Sequence, residues 1–412
     1  MTYFRKFILM HMTIDRKAIL VLNDGTYFEG IGFGATKQVD GEVVFNTGMV
    51  GYPESMTDPS YQGQILTLTY PLIGNYGVPD PDARDKWNIP RFFESDFDEY
   101  APNQPVELHN QHPAPKGIKI TGLVIHELCK EPSHWNMKMT LDQWMKKEGI
   151  PGIEGVDTRE LTKKLRVHGV MLGLLKVCEE GEDLDIDKLI KEARKVQDPN
   201  ERNLVGEVSI KNPIIYENKG SIKIVLIDVG AKLNIIRNLL ARNFTVIRVP
   251  YNFSAKEILE YHPDGFFITN GPGDPKHASL KSTIETTREL VEENLPLMGI
   301  CYGNQIFSLA MGADTYKLKY GHRSQNQPCM DLETGRCYIT TQNHGFAVDV
   351  ESLQQTDLKL WFVNANDKTV EGVKHTKKKA FSVQFHPEHY PGPVDAEYLF
   401  DTYRHILETG GN

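Results

Sequence analysis

The chain has 412 residues, enough for two domains with separate cores. Hydrophobic residues at 40% and charged residues at 25% are ordinary for a soluble globular protein. A formal net charge of −9 argues against a nucleic-acid backbone as the main partner, and no apolar run approaches the roughly 20 residues of a membrane span.

The leader, 1–17 (MTYFRKFILMHMTIDRK), is mildly basic and partly apolar. It lacks the Ser/Arg richness of a transit peptide and any small-residue cleavage site, so it reads as an N-terminal extension, with translation from Met12 one source of it and mitochondrial targeting the lesser alternative. The five cysteines, Cys129, Cys178, Cys301, Cys329 and Cys337, are scattered and form no C-x-x-C pair. Neither a disulfide framework nor a zinc site is indicated, and a reducing, cytoplasmic compartment is expected.

The first strand signal is AILVLNDGTYFEGIGFG (18–34), with a hairpin turn at Asn23-Asp24-Gly25. The run 41–77 is rich in β-formers and in Gly/Pro breaks, which predicts a mostly β N-terminal domain over 18–177. Residues 79–117, Pro-rich and charged, read as an exposed insertion. A strand at 118–128 and helices around 139–148 and 157–168 follow. A charged connector with one short amphipathic helix is expected over 178–220, and a second domain over 221–412.

Beyond the connector, continuous apolar strands alternate with amphipathic helices: IKIVLIDVG, AKLNIIRNLLARN, FTVIRVP, AKEILEYH, GFFIT and LPLMGI. That alternation means an α/β, doubly wound and mostly parallel sheet covered on both faces. Cys301 directly follows LPLMGI, where such sheets carry their chemistry. Glycines at 299 and 303 permit a sharp strand-to-helix turn that lifts the thiol into solvent, at a helix N-terminus whose dipole favours thiolate. A buried core cysteine is the competing reading.

A base for that thiol stands in FSVQFHPEHYPGP (381–393). In an extended chain His386 and Glu388 share a face, and Pro387 keeps His386 out of the helical region. Glu388 could then hold the ring in one tautomer; a lone surface histidine is the alternative. The pair His386 and His389 lacks a third ligand, so no metal is expected. In ITNGPGDP (268–275), Gly271 and Gly273 leave amides free for an oxyanion; alone the loop reads as a tight turn or a weak phosphate loop.

Together, GICYGNQ, NGPGDP and FHPEH resemble the class I, triad-type glutamine amidotransferases, whose domain is flavodoxin-like. The run 41–77, GIEGVDTRELTKKLR (152–166) and TTQNHGFAVD (340–349) narrow the resemblance to the small, glutamine-hydrolysing subunits of carbamoyl-phosphate synthetases, over about 18 to 405. The resemblance implies Cys301 as nucleophile, His386 as base and Glu388 as its orienting acid. It implies oxyanion donation by the Gly273 and Tyr302 amides. It also implies that L-glutamine is held by Ser60, Gly271, Gln305, Asn343, Gly345 and Phe346. Unaided, Ser60 reads as a turn residue and NHGF as a loop.

Further implied are a γ-glutamyl thioester and delivery of ammonia through a tunnel to a large subunit. That partner uses ATP and Mg to make carbamoyl phosphate for arginine or pyrimidine synthesis, and no cofactor is expected in this chain. No G-x-x-x-x-G-K-[ST] loop occurs here, so the synthetase is expected on a separate polypeptide docked by the N-terminal domain. Three features depart from the family pattern: Tyr302 for Leu, Asn304 for His or Tyr, and GHRSQNQPC (321–329) for a more glycine-rich run. An amidotransferase for another synthetase, a degenerate regulatory subunit and a freestanding γ-glutamyl hydrolase are the rival readings.

Overall fold

The computed structural model describes residues 16–95 and 117–409. Nearly all of the predicted leader and residues 96–116 of the predicted insertion lie outside the described residues.

The N-terminal half supplies nine strands: β1 (Arg16–Leu22), β2 (Tyr27–Gly34), β3 (Gln38–Asn46), β4 (Gln64–Leu68), β5 (Leu72–Ile73), β6 (Gly122–Val124), β7 (Glu127–Leu128), β8 (Pro151–Glu154) and β9 (Met171–Val177). Seven of them close a barrel in the order β1-β2-β8-β6-β4-β3-β9, while β5 and β7 pair separately. Closure leaves the barrel no free edge. Its helices are α1 (Tyr52–Thr57), α2 (Leu141–Glu148) and α3 (Thr158–His168). α2 starts on a reciprocal cap between Thr140 and Gln143 and stops at the left-handed Gly149.

The predicted connector holds more than one helix. It contains α4 (Ile186–Ala193), α5 (Leu204–Val208) and β10 (Ile214–Tyr216). Leu189 and Ala193 of α4 pack on Ile19, Val21 and Leu174 of the barrel. β10 pairs antiparallel with a strand of the second sheet, so that sheet begins before residue 221.

The second sheet continues with β11 (Lys223–Asp228), β12 (Thr245–Pro250), β13 (Gly265–Ile268), β14 (Leu297–Ile300), β15 (Thr315–Asp331), β16 (Cys337–Val348), β17 (Leu358–Asn364), β18 (Val370–His375) and β19 (Ala380–Val383). The helices are α6 (Leu233–Ala241), α7 (Ala255–Leu259), α8 (Lys281–Glu292), α9 (Tyr302–Ala310) and α10 (Tyr398–Thr409). The order is β10-β12-β11-β13-β14-β19-β18-β17-β15-β16. Strands β12, β11, β13, β14 and β19 run parallel. Alternation sorts their side chains: Ile224, Leu226 and Phe267 meet α6 and α10, while Val225, Ile227 and Ile268 meet α7, α8 and α9. The doubly wound α/β fold beside a β-rich domain is as expected. An antiparallel ribbon, β18-β17-β15-β16, extends it, and NHGF lies on strand β16 rather than in a loop.

Residues 79–95 correct the reading of an exposed insertion. Ile89, at 2% exposure, enters the core of the α/β domain, and Phe93 is fully buried. Arg237 on α6 ties the segment down by Nε to Asp85 at 3.0 Å and Nη1 to Glu94 at 3.2 Å, and by a bond to the Pro90 carbonyl. Glu94 also accepts from the Leu233 and Asn234 amides. A sequence rich in proline and charge becomes an interdomain strap because its Asp85 and Glu94 carboxylates are paired with Arg237.

Candidate active site

Cys301 stands between β14 and α9 with φ 53° and ψ −99°. A side chain seldom adopts a positive φ, so the turn is held by its surroundings. The Cys301 amide donates to the Val383 carbonyl at 2.8 Å, and the Gly303 amide to Thr269 at 3.0 Å. The flanking glycines serve close approach: a Cβ at Gly303 would stand 2.3 Å from the Ile268 carbonyl oxygen. Burial corrects one expectation. The thiol does not rise into bulk solvent; Cys301 is 1% exposed and lines a narrow cavity.

Ser60, Gly271, Gly273, Tyr302, Gln305, Asn343, Gly345 and Phe346 all line that same cavity. The glycine loop after β13, the first turn of α9, strand β16 and a turn of the barrel domain thus converge on one sulfur. Among the described residues, neither the Gly273 nor the Tyr302 amide makes a hydrogen bond within the chain. Gln305 donates from Nε2 to the Phe346 carbonyl at 2.9 Å, while its buried Oε1 has no protein partner.

His386, 2% exposed, follows β19 and lines a second, smaller cavity. Its Nδ1 lies 2.6 Å from Glu388 Oε1. Burial alone would strip the ring of its proton, but Glu388 and then Cys301 outweigh it and push the pKa up to about 10. Glu388 is itself fully buried and pressed below the usual carboxylate range: burial opposes this, and Lys232 and His386 prevail. His389 stays out of this group, with its ring 4.0 Å from Glu397 and its carbonyl bonded to Lys232.

Four residues beyond the predicted set complete the site. Lys232, 2% exposed, sets Nζ 3.0 Å from Glu388. Asp58 accepts from the Ser60 amide at 2.9 Å, from Asn343 at 2.8 Å and from Asn270 at 3.3 Å, which joins the two domains across the cavity. Asn270 also donates to Ser60 Oγ at 2.9 Å. Gln384 approaches Cys301 Sγ at 3.5 Å and accepts from Gln305 and Asn304. Asn270 opens the NGPGDP motif and Asp58 lies two residues before Ser60 in the 41–77 run, so position is their sequence signal; Lys232 and Gln384 simply follow apolar strands.

The departures now have an account. Asn304 is fully buried and held by Ser382 at 2.9 Å and by Gln384. Tyr302 packs among Ile306, Phe307 and Ile268, and its buried hydroxyl has no partner. Tyr302→Phe is therefore expected to leave stability unchanged or raise it by about 1 kcal/mol, and to keep glutamine turnover within about threefold, since the oxyanion donor expected there is the backbone amide. Denaturant unfolding and a glutaminase assay check this; a loss above about 1 kcal/mol would show that the hydroxyl is bonded.

A sulfur on a strained strand-to-helix turn and a buried His386–Glu388 pair, whose ring feels the charge of Cys301, stand at one end of an α/β sheet. Residues 225–406 match the family model for class I glutamine amidotransferases, and residues 20–175 match that for the small-chain domain of carbamoyl-phosphate synthase. The carbamoyl phosphate synthase small chain of Archaeoglobus fulgidus is 45% identical over 95% of this chain and 99% of its own length. That of Pyrococcus furiosus is 44% identical over 96% and 99%. The multifunctional protein CAD of Squalus acanthias is 47% identical over 94% of this chain, which matches 16% of that protein. The chain belongs to the carbamoyl phosphate synthase small chain family.

Proposed function

We propose that the chain hydrolyses L-glutamine at Cys301 and hands ammonia to a separate synthetase subunit that makes carbamoyl phosphate. One observation carries the reading: the residues expected to hold glutamine line one cavity with Cys301 at its floor, and His386 lines another behind it.

In this reading Sγ attacks the side-chain carbonyl carbon of glutamine while the Gly273 and Tyr302 amides receive the developing oxyanion. Gln305 Oε1 is available to the substrate's ammonium group. His386 Nε2 carries the proton, as its raised pKa requires, and gives it to the departing nitrogen, which leaves as ammonia while the acyl group stays on Sγ as a γ-glutamyl thioester. Water, deprotonated by the same ring, releases glutamate and restores the thiol. Glu388 keeps Nδ1 bonded throughout, and Lys232 compensates its buried charge.

The second cavity is lined by Glu54, Asp58, Lys232 and Asn343 besides His386, and it supports an exit for ammonia distinct from the entry of glutamine. Ammonia loses its nucleophilicity once protonated in bulk water, so a sheltered path preserves it for the partner, which would bring ATP and Mg. No helix among the described residues is long and apolar enough to cross a membrane. The test is a reconstituted assay with the large subunit, glutamine, ATP and bicarbonate. Close to one carbamoyl phosphate per glutamate is expected, with glutaminase turnover rising at least about tenfold when the partner and its substrates are present. Fast glutamine hydrolysis by the isolated chain, unchanged by the partner, would instead identify a freestanding hydrolase.

A further inference from the structure

The cavity wall made by β15 and β16 has an unusual support. Three consecutive rungs, His322–His344, Arg323–Asn343 and Ser324–Gln342, are bounded on both sides by breaks in register, after Lys317 and after Ser324. So short a ladder fixes its own position weakly, yet Asn343 on it, and Gly345 and Phe346 at the break beside it, line the glutamine cavity.

His322, 7% exposed, sits between two carboxylates from outside the hairpin. Its Nε2 is 2.7 Å from Asp367 Oδ2, in the turn after β17, and its Nδ1 is 3.6 Å from Glu371 Oε1 on β18. The His344 ring meets it edge-on with centroids 4.9 Å apart. Nδ1 of His344 lies 2.7 Å from the Phe346 carbonyl, and Nε2 lies 3.0 Å from Gln342 Oε1. Gln305 donates to the same Phe346 carbonyl.

We infer that His322 is a positioning residue for glutamine: clamped between Asp367 and Glu371, it fixes the three-rung ladder and, through His344, the Asn343–Phe346 wall of the cavity. The inference rests on the proposed glutamine site and adds the device that holds it in register. Charge supports the geometry. Burial disfavours the charged ring, but Asp367 and Glu371 outweigh it and push the pKa of His322 up to about 9. His344 goes the other way, below its ordinary value, through burial, His322 and Arg323. Cys329, beside Glu371, is raised by burial and by that carboxylate, while Tyr316 near Asp367 and His386 near His344 complete the titratable groups around the cluster. His322, His344 and Glu371 also present ligand atoms within 4.8 Å of one another, as metal ligands do. Both nitrogens of His344 already face oxygen partners, which favours a shared proton over an ion.

His322→Gln and Asp367→Asn test the clamp in the reconstituted enzyme. His322→Gln is expected to raise KM for glutamine about tenfold with kcat within about threefold, and to spare ammonia-dependent synthesis. Because the folded-state pKa is raised, the clamp is in place below about pH 9 and lost as pH rises through it. Asp367→Asn, at a half-exposed side chain that the fold tolerates, should move the rise in KM to lower pH by about one unit. Titration of glutamine's own amine is common to both enzymes and cancels in that comparison. Faster amide exchange over 342–346 in Asp367→Asn is expected as well, whether or not the enzyme turns over glutamine. An unchanged KM in a folded His322→Gln, an unshifted pH break with unchanged exchange in Asp367→Asn, or stoichiometric zinc whose removal abolishes glutamine affinity would each overturn the clamp. Absence of glutaminase in the wild type would instead strike the underlying reading, and the exchange measurement would still decide the clamp.

Discussion

Cys301→Ser is expected to cut glutamine-dependent carbamoyl phosphate synthesis by at least about 10³-fold while leaving the ammonia-dependent rate within about twofold. The substitution keeps shape and burial but removes the one atom on the turn that can form a thioester. The cavity walls, the His386–Glu388 pair and the strap over α6 do not depend on it, so the chain should still fold and bind its partner. The split between the two nitrogen sources carries the weight. A structural cysteine would lower both rates together through instability, and a regulatory one would lower neither. Equal glutamine-dependent rates in wild type and variant would remove Cys301 from the chemistry.

The second large effect is expected at Lys232. Its ammonium is buried 3.0 Å from Glu388, whose side chain has no exposure. Glu54 and Glu94 are buried close by, each with its pKa pushed up to about 7, by burial first and partly by carboxylate neighbours. Burial works against the charge on Lys232, but Glu388, Glu94 and Asp58 overcome it. Lys232→Met would leave Glu388 charged, buried and held only by His386. A loss of about 3–5 kcal/mol in unfolding free energy is expected, because a buried ion stripped of its partner keeps its full desolvation cost. The double variant Lys232→Met/Glu388→Gln should recover a large part of that loss, since the orphan charge is gone too. A single-variant loss below about 1 kcal/mol would mean that Glu388 does not need the ammonium.

How much of this is legible in the sequence depends on the kind of interaction. Strands buried on both faces announce themselves, because IKIVLIDVG and LPLMGI have no polar side to show. The glycines of NGPGDP and the triad spacing announce themselves too, because backbone approach and i, i+2 geometry are local. Strand β16 hides. Residues 340–344, TTQNH, are buried polar groups whose side chains find partners on β15, on the Pro391 loop, on the barrel domain or along their own strand, and a polar stretch reads as a loop until those partners are known. Lys232 and Glu94 hide for the same reason. A single charge beside a strand or in a Pro-rich run looks solvated unless its distant counter-ion is seen. The direction of the thiol was legible only in part: the turn follows from the residues flanking it, while the cover over it comes from Asn343, Gln384 and a domain some 240 residues away in sequence.

The most direct measurement is mass spectrometry of the intact complex, acid-quenched within a turnover of adding glutamine. A γ-glutamyl adduct that maps to Cys301, accumulates at steady state and is absent from Cys301→Ser is the expected result. Steady turnover with no adduct on that sulfur, or with the adduct on Cys129, Cys178, Cys329 or Cys337, would contradict the account.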